Sequence, residues 1–253
     1  MLLAVDVGNT QTVLGVYEGK TLHKMWRIAT RPGETADELR IVLIGLFGAE
    51  QLSFRDVDGV VLGTVVPEKK QLWTQVGRDA FNVETLAVQH EHLKGLLEVA
   101  SRGTGADRLA NAVAAKKLYG APVIVVDMGT ATNFEVVDAQ GVLLGGVIAP
   151  GVEASMRSLA KGTALLPAIE LSKPGTAIGD NTIDAIRVGC VLGEVDRIDG
   201  LVRRIKKQLG MEAPVVATGG LCTNFGQLCE SFTAINPELT LQGLRIVYEH
   251  FNS

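Results

Sequence analysis

Two stretches of this chain repeat one another, and that repeat limits what the chain can become. Residues 2–20 read LLAVDVGNTQTVLGVYEGK, and residues 124–141 read IVVDMGTATNFEVVDAQG. In each, an apolar run ends in Asp-x-Gly, passes through short hydroxyl or amide residues, and returns as a second apolar run. Laid over one another they place Asp6 on Asp127, Gly8 on Gly129 and Asn9 on Thr130. Apolar runs of strand length around a Gly-containing turn read as β-hairpins. The expected fold is α/β, in two related halves, each led by a hairpin with an Asp-Gly turn.

The remaining pattern fits between these hairpins. Strands 2–7 and 12–17 should be followed by a third at 23–30, then by a helix over 34–48. Thr35 has the place of an N-cap there, with Glu38 as its capping-box partner. A buried strand is expected at 58–67, a helix at 68–81, a short strand at 83–88 and a helix over 106–120 closed by Gly120. The order then restarts. Strands at 122–129, 133–138 and 142–149 precede helices at 152–162 and about 181–209, a strand at 214–220 and a closing helix at 239–251. No Pro- or Ser-rich linker separates the halves, which are expected as 1–115 and 116–253, with the final helix packing back on the first.

Bulk properties exclude several classes. Of the 253 residues 47% are apolar and 21% charged, the balance of a soluble globular protein. A formal charge of −4 argues against a nucleic-acid partner, and the basic run Arg203–Lys207 reads as a solvated helix face. No membrane association is expected, because the longest uncharged stretch, 213–229, is broken by glycines and amides. Asp6 interrupts the first apolar run, so no secretory leader is read there. The three cysteines lack close pairing, which favours reduced thiols in a cytoplasm, and the four histidines show no zinc spacing.

The repeated turn suits one kind of chemistry. A Gly two residues after the Asp lets a ligand approach the main chain. Asn9, Thr10, Gln11 and Thr12 add short donors, which makes the turn a candidate phosphate cradle. Asp6 would repel phosphate directly but can hold Mg²⁺ through water. Read alone, either Asp could simply cap a tight turn. Two such loops facing each other across a cleft would surround one polyphosphate.

The run GTGADRLANAVAA, residues 103–115, is the second informative stretch. Asp107 and Arg108 lie at a helix start, where an Asp commonly serves as N-cap. The functional reading is that Asp107 takes a proton from a substrate hydroxyl while Arg108 binds an acidic group. Phosphoryl transfer asks mainly for positioning and charge neutralisation, which a base, a metal and a cradle supply.

In order and spacing, DVGNT (6–10), TADEL (35–39), GADR with AN (105–111), DMGTAT (127–132) and GGVIAPG (145–151) resemble type III pantothenate kinase. So do GDNT (179–182), TGG (218–220) and LTLQGL (239–244). The resemblance implies two duplicated RNase H-like, actin-like ATPase halves with a nucleotide cleft between them. It implies ATP-dependent phosphorylation of pantothenate, the first step of coenzyme A synthesis, by a cytoplasmic homodimer. Mg²⁺ and a monovalent cation, K⁺ or NH₄⁺, are the implied cofactors. By position, ATP would contact Asp6, Val7, Gly8, Asn9, Thr10, Gln11, Thr12 and Val13, with Thr130 from the second loop. Asp127 would hold the monovalent cation, and Asp107 would be the proton acceptor. Gly105, Ala106, Asp107, Arg108 and Thr182 would contact pantothenate. The run LLEVASRGTGADR carries neither the aromatic residue nor the Asn-Pro pair that the resemblance leads one to expect before GADR. Alternatives are a non-catalytic nucleotide-binding homologue with a regulatory role, or a kinase of the same fold with another hydroxyl acceptor.

Overall fold

The computed structural model describes residues 1–64, 66–163 and 165–253. They form two compact units. One comprises Met1–Glu98, Arg102–Ala114 and Leu239–Ser253, and the other Val99–Ser101 and Ala115–Glu238. Seven α-helices occur among the described residues. They are α1 (Ala36–Ala49), α2 (Pro67–Val76), α3 (Ala106–Tyr119), α4 (Val152–Gly162), α5 (Thr182–Leu209), α6 (Cys222–Phe225) and α7 (Leu239–Phe251).

The first unit is built on β1 (Leu2–Val7), β2 (Gln11–Glu18), β3 (Thr21–Ala29), β4 (Gly59–Thr64) and β5 (Thr85–Ala87), in the order β3-β2-β1-β4-β5. β1 is antiparallel to β2 and parallel to β4. Because strand side chains alternate in direction, the two faces differ in composition. Leu3, Val5, Val7, Leu14, Val16, Val60 and Leu62 share a core with Leu39, Leu43 and Phe47 of α1 and Trp73 and Val76 of α2. The other face carries Ala4, Gly15, Gly59 and Gly63, and these small residues let α7 lie directly on the strands. A Cβ at Gly15 would come 2.8 Å from Leu241, and one at Gly63 would come 3.0 Å from Leu244. On its far side α7 meets α3 as closely: a Cβ at Gly243 would lie 2.0 Å from the Ala110 carbonyl oxygen. Thr240 Oγ1 donates to Asn111 Oδ1 at 2.8 Å, and Asn111 is fully buried. α7 thereby fixes α3 against the first sheet.

The second sheet comprises β6 (Glu98–Val99), β7 (Val123–Met128), β8 (Ala131–Val137), β9 (Val142–Pro150), β10 (Val215–Thr218) and β11 (Ala234–Ile235), in the order β11-β10-β7-β8-β9-β6. Without the short β6, the run β9-β8-β7-β10-β11 repeats the first sheet. Again the first hairpin is antiparallel and the strand entering last beside its leader is parallel. Ile124, Val126, Met128 and Phe134 form a core with Val152 and Met156 of α4 and Val191, Val195, Ile198 and Val202 of α5. The duplication read from the sequence is thus present in strand order and in sense.

Most element boundaries agree with the sequence reading, including the Thr35–Glu38 capping box. Two differ. The strand expected at 58–67 ends at Thr64, and Pro67 opens α2. Its missing N–H costs nothing at a first helical position. Val65, included in that expected strand, lies outside the described residues. The helix expected at 68–81 stops at Val76 and continues as a single π-helical turn over Gly77–Phe81. Asn82, at φ 58°, closes it in the left-handed conformation.

Candidate active site

Both hairpin turns are built on the same hydrogen bonds. Gly8 N donates to Gln11 O at 3.0 Å, and Gly129 N donates to Ala131 O at 3.0 Å. Thr30 N donates to Thr10 O at 3.0 Å, and Gly151 N donates to Thr130 O at 3.1 Å. These bonds make Thr130 the counterpart of Thr10 rather than of Asn9, because the first turn holds one residue more. Val7 pairs with Thr12 across it, and Met128 with Thr132. Asn9, Thr10, Gln11 and Thr130 are exposed at the turn tips, while Asp6, Gly8 and Val13 are half-buried. Val7 and Thr12 are buried. Val7 lies in the apolar core, so a ligand can reach it only through its main chain.

The two aspartates stand at the same place on equivalent strands, but their neighbours differ. Asp6 pairs with Val13 on β2 and with Gly63 on β4. Asp127 pairs with Asn133 on β8 and with Thr218 on β10. Residues in register on adjacent strands share a face, so Asp127 is flanked by an amide and a hydroxyl where Asp6 has a methyl-bearing side chain and none. Asn133 Oδ1 and Thr218 Oγ1 are both buried without a hydrogen-bond partner among the described residues. Gly219 follows Thr218 at φ 89°, and a Cβ there would lie 2.4 Å from Asp127 Oδ1. The TGG segment thus brings a bare backbone against that carboxylate. An amide and a hydroxyl oxygen in register with a carboxylate are hard donors, of the kind that suits a hard cation rather than a soft one.

Gly105, Ala106, Asp107 and Arg108 are brought together at the start of α3. Leu109 N donates to Gly105 O at 3.0 Å, which puts Gly105 at the cap and Asp107 in the first turn. Asp107 is therefore not the N-cap that its sequence position suggests. Its Oδ1 is buried and has no hydrogen-bond partner among the described residues. Ala106 is buried, and Gly105, Asp107 and Arg108 are half-buried. The helix N-terminus favours a negative charge at this point.

Thr182 belongs to the second unit, where it is exposed as the first residue of α5. Asn181 caps that helix by accepting from Asp184 N at 3.0 Å. Gly179 packs so closely on the first turn that a Cβ would lie 2.2 Å from Ala185 N. The GDNT segment thus sets the direction in which α5 leaves. Sequence reasoning did not assign Thr218 or Asn133 to a site, nor single out Glu194. A usable signal was present, since Glu194 interrupts the apolar stripe Val191, Val195 and Ile198 of α5.

Solved structures with the same architecture define the class. A protein assigned to the Baf family of transcriptional activators from Campylobacter jejuni superposes with a TM-score of 0.62 at 17% identity, covering 98% of this chain and 97% of that one. ROK hexokinase from Thermus thermophilus gives 0.53 at 14% identity, covering 99% of each chain. The ADPNP-bound activator of 2-hydroxyisocaproyl-CoA dehydratase from Clostridium difficile gives 0.55 at 13%, covering 99% and 96%. The fold is that of the actin-like ATPases and sugar kinases. A family model for type III pantothenate kinase matches residues 2–204. Type III pantothenate kinases from Rubrobacter xylanophilus and Exiguobacterium sibiricum are 42% and 43% identical, each over 98% of this chain and 97% and 99% of their own. The chain belongs to the type III pantothenate kinase family, whose enzymes take ATP with a divalent metal, and pantothenate, as substrates. No helix among the described residues is long and apolar enough to cross a membrane.

Proposed function

We propose that this chain transfers the γ-phosphoryl group of ATP to the hydroxyl of pantothenate, the first step of coenzyme A synthesis. The observation that carries this reading beyond family membership is Asp107, whose buried Oδ1 has no hydrogen-bond partner among the described residues. An unsatisfied buried polar atom costs roughly 1–3 kcal/mol, more when charged. Such an atom is matched when a substrate hydroxyl donates to it. Asp107 accepts that proton as the oxygen attacks phosphorus, and Arg108 binds the pantothenate carboxylate. Gly105 and Ala106 contact the substrate through their main chain, and Thr182 through its hydroxyl.

The two hairpin turns act as phosphate loops, with Asp6–Val13 and Thr130 on the nucleotide. The divalent ion is Mg²⁺, bound with ATP and approached by Asp6 through water, where it neutralises phosphate charge. The monovalent cation, K⁺ or NH₄⁺, belongs at Asp127 rather than Asp6. Asn133 Oδ1 and Thr218 Oγ1, both buried and unpartnered among the described residues, support that choice. The resemblance further supports a homodimer in the cytoplasm.

The test is ADP release from ATP and Mg²⁺, with and without pantothenate, in K⁺ and in choline buffer. Release should require pantothenate and should be much slower in choline than in K⁺. Equal rates in K⁺, Na⁺ and choline would remove the monovalent site. ATP binding without pantothenate-dependent release would favour a regulatory homologue and direct attention to residues 99–104, which lack the expected aromatic and Asn-Pro.

A further inference from the structure

We infer that Glu194 is a positioning residue for the second phosphate loop, supplying from α5 the support that Thr30, just past the end of β3, gives the first loop. This rests on the reading of the turns as phosphate loops. In the first loop, Thr12 Oγ1 and Thr30 Oγ1 are 2.9 Å apart and share a hydrogen bond. Thr132 is the counterpart of Thr12 and Gly151 the counterpart of Thr30, by the matching bonds around each turn. Gly151 has no hydroxyl to offer, and none could be added. A Cβ there would lie 2.5 Å from Gly129 O and 2.7 Å from Thr130 O. The Thr132 hydroxyl, on a residue 1% exposed, would be left orphaned.

Glu194 fills that place. Thr132 Oγ1 donates to Glu194 Oε1 at 2.6 Å. Glu194 Oε2 accepts from Arg197 Nη2, and the same Nη2 donates to Pro150 O at 2.5 Å. Pro150 pairs with Ala131, the last residue of the turn. The Glu194–Arg197 pair therefore ties the start of β8, directly behind the loop, and the end of β9 beside it to α5. Burial pushes the Glu194 carboxyl up, while the Thr132 and Arg197 hydrogen bonds pull it down. A buried ion pair contributes little net stability; what it supplies here is fixed geometry. α5 also begins at Thr182, so one rigid helix joins a proposed pantothenate contact to the loop that holds phosphate.

The test compares wild type, Thr132→Val, Glu194→Gln and Glu194→Ala for KM of ATP, KM of pantothenate and thermal melting. Thr132→Val keeps the side-chain shape and removes only the donor, so it tests the contact even if Glu194→Ala does not fold. Thr132→Val should raise KM for ATP roughly five- to tenfold, the scale of one lost hydrogen bond, with KM for pantothenate within about twofold. Glu194→Gln, which keeps an acceptor for Thr132, should lose less than Glu194→Ala. Wild-type KM for ATP in Thr132→Val overturns the inference. So does a parallel rise in both KM values that merely follows a falling melting temperature. If the wild-type chain binds no nucleotide, the functional reading fails first and takes this inference with it.

Discussion

Asp107 shows how one residue can be held in the folded chain at an energetic cost. The first turn of α3 offers a partial positive charge and favours the carboxylate, yet the buried Oδ1 meets no donor among the described residues. Replacing Asp107 with Asn preserves shape and removes the proton acceptor. Turnover should fall at least about a hundredfold, the usual scale for a lost general base, with KM for ATP little changed. Steady-state kinetics on the purified variant decides it, and near wild-type turnover would end the assignment. Asp6 and Asp127 make a related point. The same residue at the same strand end has different surroundings because of what stands in register beside it, Val13 and Gly63 for one and Asn133 and Thr218 for the other.

Among the elements, α7 has the most consequence for the site. Close approaches on both sides let it lie between the first sheet and α3. Gly243 is the tighter, since the atom a Cβ would meet is the backbone oxygen of Ala110, which cannot rotate away. Gly243→Ala should destabilise by about 1–3 kcal/mol, the range for overpacking, and lower the melting temperature by several degrees. Because α3 carries Asp107 four residues before Asn111, activity should fall further than the stability loss explains. Calorimetry paired with activity below the transition separates these effects, and an unchanged melting temperature would mean that α7 shifts freely. Gly59 is a milder case. A Cβ there would meet the Tyr248 hydroxyl, the end of a side chain that can turn.

At the scale of the whole molecule, a duplicated sheet has been adapted to unequal tasks. The second copy has an amide and a hydroxyl in register with its aspartate and a buried carboxylate bonded to Thr132 behind its turn; the first has a helix from residues 239–251. Association of two chains is the remaining expectation. On β9, Leu144 is 45% and Ile148 66% exposed, apolar surface that a partner would cover. Light scattering at micromolar concentration should give twice the mass of one chain, and a monomer mass would overturn the dimer.

Much of the fold was legible in the residues, because hydrophobic period, turn glycines and caps are local properties. The two hairpins, the Thr35–Glu38 capping box and the extent of α5 followed from such signals. So did the candidates Asp6, Asp127 and Asp107, each marked by a glycine nearby. What the residues alone left open depends on register and on contacts between distant segments. Matching the turns by spacing aligned Asn9 with Thr130, whereas the hydrogen bonds align Thr10. Asn133 and Thr218 became neighbours of Asp127 only when β8 and β10 paired with β7. Thr132 and Glu194, far apart along the chain, met only when α5 packed on its sheet. The chain's own letters determined which elements form and which side chains could do chemistry. Tertiary packing decided which of those side chains stand together, because a strand's neighbours come from segments far along the chain, and its own residues do not say which segment or register will pair with it.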